Sequence, residues 1–288
     1  MKIQVALICF ILFVGIDVFA ADSEEFRILN LSLLDAAKKG ESQLVLSKLK
    51  EGASIRTRDR FGNSALIYAA RTAHVDTARI LLDAGAQVNQ ANVAGNTPLF
   101  EAAGSGDEDL VRLLLDSDAN PNAVNIKNVS PLSNAIFHQH AAVGALLLQY
   151  GARADFVDNT GKSGAVYAAA NGETRILRQL LDAHRGSEIS VDARYTHDLT
   201  LLMWAAGYGQ TDVVEMLTAR GAKLDLVDDR GKSALLMAAE EGHSNVVRFL
   251  LNKGSNRVLR DKNGRTAHDL ALLGGHEETT RVLTESAN

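Results

Sequence analysis

The sequence predicts an all-α repeat protein in which about eight similar helix–turn–helix–hairpin units stack along the chain. Three observations predict it: a recurring Ser or Thr, apolar pairs at constant distances from that residue, and a composition with only 5% aromatic residues. The spacing between successive recurring hydroxyl residues is 33 residues, apart from one spacing of 37. A fixed period of this length indicates a repeat architecture. The recurring residues are Ser64, Thr97, Ser130, Ser163, Thr200, Ser233 and Thr266.

The recurring hydroxyl residue predicts the start of the first helix of each unit. Ser and Thr are good N-caps because their hydroxyl accepts from the free amides of the first helical turn. Pro98 and Pro131 follow two of these caps, at the helix position where a missing N–H costs nothing. Ala pairs five and six residues after the caps predict a helix that packs closely against its neighbours. These pairs are Ala69–Ala70, Ala102–Ala103, Ala168–Ala169, Ala205–Ala206 and Ala238–Ala239.

A second helix and a hairpin complete each unit. Leu pairs seventeen and eighteen residues after most caps predict the buried stripe of the second helix. Gly85, Gly151, Gly221 and Gly254 then end that helix in the left-handed conformation. An extended segment with a tight turn follows, and its turn residue lies two positions before the next cap. That residue is Gly in five units, whereas the fourth unit has Asn128.

The unit resembles the ankyrin repeat. The resemblance is carried by NTPLFEAAGSGDEDLVRLLLDSDANPN, residues 96–122, and DDRGKSALLMAAEEGHSNVVRFLLNKGS, residues 228–255. It implies a lead-in at 21–30 and a repeat domain at 31–288. The first and last units depart from the pattern and carry polar residues, as expected of capping repeats. The expected units start near residues 31, 62, 95, 128, 161, 198, 231 and 264.

Residues 1–20 have the pattern of a signal peptide. Lys2 precedes an apolar run over residues 5–16, and small residues before the end predict cleavage after Ala20. Twelve helical residues extend about 18 Å, which is short of the roughly 30 Å core of a bilayer. A membrane anchor that is not cleaved is the alternative. We therefore expect a periplasmic or secreted protein without stable membrane insertion after cleavage.

Cys9 is the only cysteine, so a protein cleaved after Ala20 would contain none. Disulfides, thiol catalysis and cysteine-based metal sites are then excluded. Extracellular eukaryotic modules of this size usually contain disulfides, so their absence favours a bacterial envelope compartment. The formal net charge of −5 and pI near 5.9 argue against nucleic-acid binding, which normally needs a basic face.

The sequence predicts no catalytic, cofactor or metal site. Four histidines share one position, ten residues after a cap, where the ankyrin resemblance implies a structural role. They are His74, His140, His243 and His276. The other four histidines lack metal-ligand spacing. The strings TGKS at 160–163 and RGKS at 230–233 lack the first glycine of a phosphate-binding loop, and both fit the turn and cap of the repeat.

The ankyrin resemblance implies a concave face, formed by hairpin tips and first helices, that binds a partner protein. The positions four and eight residues after each cap are expected to be exposed there. Aromatic residues cluster beside the one break in the period, where four extra residues lie between Leu181 and Thr200. Packing of Trp204 under the next hairpin and neutral drift of the insertion are the alternatives. The predicted partner-binding residues are Tyr68, Tyr167, Tyr195, His197, Trp204, Tyr208, Met237 and Glu241.

The predicted function is a monomeric, non-enzymatic scaffold that binds another protein. An alternative is an inhibitor or chaperone-like accessory protein of one exported enzyme. Charge also varies along the hairpins and helix ends, and would orient a partner through complementary fields. Arg58, Arg60 and Arg71 lie near the start, whereas Asp228, Asp229, Glu240 and Glu241 lie near the end.

Overall fold

The computed structural model describes residues 24–182 and 189–285, which form two compact units separated after Asn120. The predicted signal peptide and residues 183–188 of the irregular hairpin lie outside the described residues. Within the described ranges the regular structure is helical, without named strands, and β-pairing is limited to two isolated bridges. The bridges join Arg58 to Ser64 and Val157 to Ser163. The all-α fold class is confirmed.

The described part of the first unit contains six helices, and five of them pack in two layers. Helix α3 packs against α5 in one layer, and α2, α4 and α6 pack in sequence in the other. Each of α3 and α5 also packs against the helix that follows it. The helices are α1 (24–39), α2 (Ser42–Lys50), α3 (Ala65–Arg71), α4 (Val75–Asp83), α5 (Pro98–Ser105) and α6 (Glu108–Asp116).

The second unit repeats this arrangement over five helix pairs. Its odd-numbered helices pack in one row and its even-numbered helices in another. We call these the inner and outer helices. A 3-10 turn at Thr196–Asp198 precedes α11. The helices are α7 (Pro131–Phe137), α8 (Ala141–Gln149), α9 (Gly164–Asn171), α10 (Thr174–Asp182), α11 (Leu201–Gly207), α12 (Thr211–Ala219), α13 (Ala234–Glu240), α14 (Ser244–Asn252), α15 (Ala267–Leu273) and α16 (Glu277–Glu285).

The predicted N-caps are confirmed at all seven positions. Each Ser or Thr hydroxyl accepts from the amide three residues later, over distances from 3.1 to 3.4 Å. Pro98 and Pro131 occupy the first helical turn, as predicted. Local sequence therefore determines where each inner helix begins.

The predicted Ala pairs lie in the core. Both members of every pair have no exposed surface, and the leucines Leu81, Leu114 and Leu147 of the outer helices are equally buried. Small side chains allow neighbouring inner helices to approach closely, and the leucines fill the space between the two layers. None of the helices within 24–182 and 189–285 is long and apolar enough to cross a membrane.

The hairpins are organised by an Asp or Asn that lies five residues before the cap. Asp228, for example, accepts from the backbone amides of Arg230 and Lys232 at 2.9 and 2.7 Å. Equivalent bonds to backbone amides occur in five further hairpins. The residues that accept them are Asp59, Asn92, Asn125, Asp158 and Asp261. Tyr195 occupies this position in the hairpin of the irregular unit, and it has no carboxylate to accept such bonds.

Candidate functional site

A groove of about 790 Å³ opens in the second unit between α11, α13 and the hairpins that precede them. Trp204, Tyr208, Met203, Met237 and Leu199 supply its apolar surface. Polar side chains lie around this surface. They are His197, Asp229, Arg230, Glu240, Glu241 and His243. We call this the Trp204 groove. It combines an apolar floor with charged groups, as ligand-binding sites generally do.

Two aromatic rings form one wall of the groove. Trp204 lies on α11 and Tyr208 caps its C-terminal end, so the two are one helical turn apart. Their ring centroids are 6.1 Å apart and the planes are inclined by only 23°. Lys162 places its Nζ 5.4 Å from the indole centroid. Tyr208 remains 58% exposed, so its ring is available to another molecule.

Trp204 differs from the equivalent tyrosines in its polar contacts. Tyr68 and Tyr167, also four residues after a cap, donate their hydroxyls to Asp59 and Asp158 at 2.6 and 2.7 Å. These aspartates organise the hairpins of the same repeats. The hairpin before Trp204 has Tyr195 instead, and the indole Nε1 is buried without a hydrogen-bond partner in the described chain. Ring contacts, rather than a hydrogen bond, therefore hold the indole in place.

Some carboxylates in and beside the groove form an ion pair with a lysine or arginine, and others do not. Arg230 donates to the buried Asp228 at 2.9 Å, and Lys232 pairs with Glu240. Asp229 contacts His197, with 2.9 Å between Oδ2 and Nδ1. Glu241 caps α13, lies exposed, and forms no ion pair with another residue of the described ranges. The carboxylates of Asp229 and Glu241 are thus the acidic groups not matched by a lysine or arginine.

Five of the eight predicted partner-binding residues line this groove: His197, Trp204, Tyr208, Met237 and Glu241. Met237 is only 7% exposed, so the expectation of full exposure four residues after the cap is wrong there. The unbranched thioether instead fills the groove floor. This role suits methionine because its side chain adapts to irregular spaces.

The other three predicted residues lie elsewhere. Tyr68 belongs to the first unit, and partial burial with its bond to Asp59 raises its pKa. Tyr167 packs edge-to-face on the exposed Phe137, with centroids 5.2 Å apart. Burial raises the pKa of Tyr195, which lines a separate cavity of about 450 Å³ with Ser163. The hydroxyls of Tyr68 and Tyr167 stabilise their own hairpins.

The described residues contain no group of three or more His, Cys, Asp or Glu side chains placed to hold a metal ion. Two of the histidines predicted to be structural bond to the preceding inner helix. His243 Nε2 lies 3.1 Å from the carbonyl oxygen of Gly207, and His276 Nε2 lies 2.8 Å from that of Glu240. A carbonyl only accepts, so both Nε2 atoms donate. These histidines connect neighbouring repeats.

A family model described as ankyrin repeats, in three copies, matches residues 33–125 and 202–288, which is more than half of the chain. The chain belongs to the ankyrin-repeat family. Ankyrin repeats generally mediate protein–protein interaction, and the fold is typically non-enzymatic. This supports a scaffold role at the level of the family.

Two curated proteins show local similarity to this chain. A segment of 81 residues is 37% identical to the E3 ubiquitin-protein ligase hecd-1 of Caenorhabditis elegans, covering 28% of this chain. A segment of 74 residues is 40% identical to the ankyrin repeat domain-containing protein SAT10 of Stachybotrys chartarum, covering 26% of this chain. The matches span only 3% and 4% of those two proteins.

Several lining residues of this ankyrin groove were not among the predicted partner-binding residues. Leu199 lies one residue before the cap Thr200 and Met203 three residues after it, and both are buried. The acidic residues Asp229 and Glu240 appeared in the sequence only as part of a charge gradient. The signal that could have found them is their position in the repeat, beside the hairpin tip and the end of the inner helix.

Proposed function

We propose that this ankyrin-repeat protein is a non-enzymatic scaffold that binds a partner protein through the Trp204 groove. The observation that carries this proposal is the exposed Tyr208 ring, which is stacked on Trp204 and lines a groove whose buried floor contains Met203 and Met237. Apolar surface that is exposed in a groove and bordered by polar groups often marks a binding site. Aromatic residues in partly buried pockets also dominate binding energies at many protein interfaces.

We further propose that the protein acts in the periplasm or outside the cell as a monomer. The support for export is the pattern of residues 1–20, with its apolar run and small residues before position 21. The identity of the partner is open to experiment. If that partner is an exported enzyme, an activity assay with and without this protein tests the alternative role as its inhibitor or chaperone-like accessory.

The proposal is tested by site-specific photocrosslinking at Tyr208 in cells that produce the full chain. A benzophenone amino acid at position 208 should give a discrete adduct with the partner. The matched control carries the same amino acid at Tyr150, an aromatic residue at the C-terminal end of the outer helix α8. Tyr150 is 38% exposed and does not line the groove.

Once the adduct is identified, Tyr208→Ala should weaken the affinity for that partner about thirty-fold, as expected when an interface hot spot contributing about 2 kcal/mol is removed. Tyr150→Ala should leave the affinity unchanged. Adducts of equal yield from both positions, or full affinity of Tyr208→Ala, would contradict a binding role for the groove.

A further inference from the structure

Resting on the proposed function, we infer that the Trp204 groove selects a partner segment in which a lysine or arginine lies beside an apolar side chain. The inference concerns the chemical class of the partner at this site. It follows from two features that lie together, an exposed aromatic ring and carboxylates without a lysine or arginine partner.

Tyr208 and Trp204 supply the aromatic rings of the groove. The face of an aromatic ring carries partial negative charge and attracts a lysine or arginine cation placed over it. One such contact already exists within the chain, because Lys162 lies over the indole of Trp204. Tyr208, more than half exposed, forms no cation contact of this kind with any described residue. A partner cation can occupy that position.

Asp229 and Glu241 supply the acidic groups of the groove that lack a lysine or arginine partner within the described ranges. Tyr208 and Glu241 occupy the same repeat position, eight residues after the caps Thr200 and Ser233, at the ends of adjacent inner helices. Because α11 packs against α13 and both residues line the groove, the carboxylate and the phenol face the same space. Asp229 reaches that space from the hairpin before α13.

The cationic side chains nearest the acidic groups already form ion pairs. Arg230 is held by Asp228 and Lys232 by Glu240, while Lys162 lies over the indole. An acidic partner segment would therefore meet Asp229 and Glu241 and find Arg230 and Lys232 already paired. Lysine and arginine side chains fit better, because their apolar stems can lie on the exposed ring of Tyr208 while the charged end reaches a carboxylate.

Selection from a displayed library of random twelve-residue peptides against the full chain tests this inference. Trp204 is the only tryptophan, so its fluorescence reports directly whether each selected peptide enters the groove. The expected peptides combine lysine or arginine with apolar residues. Their affinity should fall with increasing salt, because exposed ion pairs are screened.

The variants Asp229→Asn and Glu241→Gln preserve shape and remove one charge each. Each should weaken binding of the selected peptides up to about five-fold, in line with the energies of exposed ion pairs. Asp76→Asn, at an exposed carboxylate of α4 that does not line the groove, should have no effect. Circular dichroism confirms that the variants remain folded.

The outcomes separate this inference from the proposed function. Peptides that require Tyr208 but are neutral or acidic, or that bind equally well after both charge removals, overturn the inference and leave the groove as a binding site. A selection that yields no peptides sensitive to Tyr208→Ala contradicts both. Cationic, apolar peptides that lose affinity in Tyr208→Ala, Asp229→Asn and Glu241→Gln support both.

Discussion

Glu173 occupies a repeat position at which three other repeats form a hydrogen bond that a carboxylate cannot form. Ten residues after the cap, those repeats place a donor that bonds to the end of the preceding inner helix, whereas Asp107 accepts from the amide of Leu110 in its own outer helix. Gln210, for example, donates its side-chain amide to the carbonyl oxygen of Ala170 at 2.9 Å, and His243 and His276 form the equivalent bonds. By the same register, the carbonyl at the corresponding position before Glu173 is that of Phe137. A carboxylate cannot donate to it, whereas a protonated carboxyl can.

Both oxygens of Glu173 are buried and neither has a hydrogen-bond partner of normal geometry in the described chain. Burial raises the pKa of this carboxyl, and the nearby amide of Asn171 offsets only part of that effect. Because the folded-state pKa lies above that of the unfolded chain, protonation of Glu173 favours the folded state. That stabilisation is complete below the ordinary pKa near 4.5 and is lost as the pH rises through the folded-state value.

We expect Glu173→Gln to stabilise the protein at pH 7 by about 1 kcal/mol, because the amide donates as that of Gln210 does. The gain should shrink towards pH 4, where the wild-type carboxyl is protonated. Urea unfolding of both proteins at the two pH values measures this difference. Glu215→Gln, at an exposed position of α12, is the control and should have no effect of this kind. A gain independent of pH would show that titration of Glu173 is not its cause.

At the scale of elements, the hairpins depend on one side chain each. Asp228 is 5% exposed. Its carboxylate accepts hydrogen bonds from two backbone amides and from the guanidinium of Arg230. In the first unit, Asn92 accepts from the amide of Asn96 at 3.0 Å, and in the second unit Asn125 accepts from two amides. An amide oxygen is therefore sufficient to organise this turn.

We expect Asp228→Ala to lower the free energy of unfolding by about 2–3 kcal/mol, because buried backbone amides lose a charged acceptor. Asp228→Asn should lower it by less than about 1 kcal/mol, since the amide oxygen still accepts from both backbone amides. Urea unfolding measures both values. The neighbouring Asp229→Ala is the control at an exposed position of the same hairpin. Equal losses in the Ala and Asn variants would mean that charge, rather than acceptance by the side chain, stabilises the turn.

The hairpin of the irregular unit shows what happens without this side chain. Tyr195 replaces the acceptor, and a 3-10 turn forms in which His197 and Asp198 both have left-handed backbone conformations, with φ of 58° and 60°. Asp198 stands where five other units have glycine. The altered turn carries His197 to the rim of the Trp204 groove, so the break in the period changes the surface of the adjacent repeat.

At the scale of the whole molecule, repeat proteins gain stability from contacts between neighbouring repeats. The cap hydrogen bonds and Ala pairs recur in both compact units of this chain. The Trp204 groove, in contrast, belongs to the second unit alone. The recurrent residues stabilise the packing of neighbouring repeats, whereas residues that break the recurrence line the candidate binding surface.

The predicted signal peptide also concerns the whole molecule. We expect the protein exported from its natural host to begin at residue 21, because small residues precede Ala21 at the predicted cleavage site. Intact-mass measurement of the protein recovered from the envelope or the medium checks this. The mature chain would contain no cysteine, so its thermal unfolding should be the same with and without a reductant. Recovery of a chain that retains residues 1–20 would favour the membrane-anchor alternative.

The sequence by itself determined the helix starts, the repeat register and the apolar core of this protein. Those features depend on local rules. A hydroxyl residue caps a helix and a fixed spacing of Ala and Leu pairs defines two buried faces, so they can be read without knowing which residues meet in space.

Only the tertiary structure decided which of the residues predicted to be exposed lie close to one another. Tyr68, Tyr167 and Trp204 occupy one position in the repeat, yet two of them bond to aspartates and the third borders a groove. The difference depends on Tyr195 replacing an aspartate in the hairpin before Trp204, and on Met237 and Asp229 approaching from α13 and the hairpin before it. Such contacts arise from packing between repeats, which a residue's own position in the repeat does not specify.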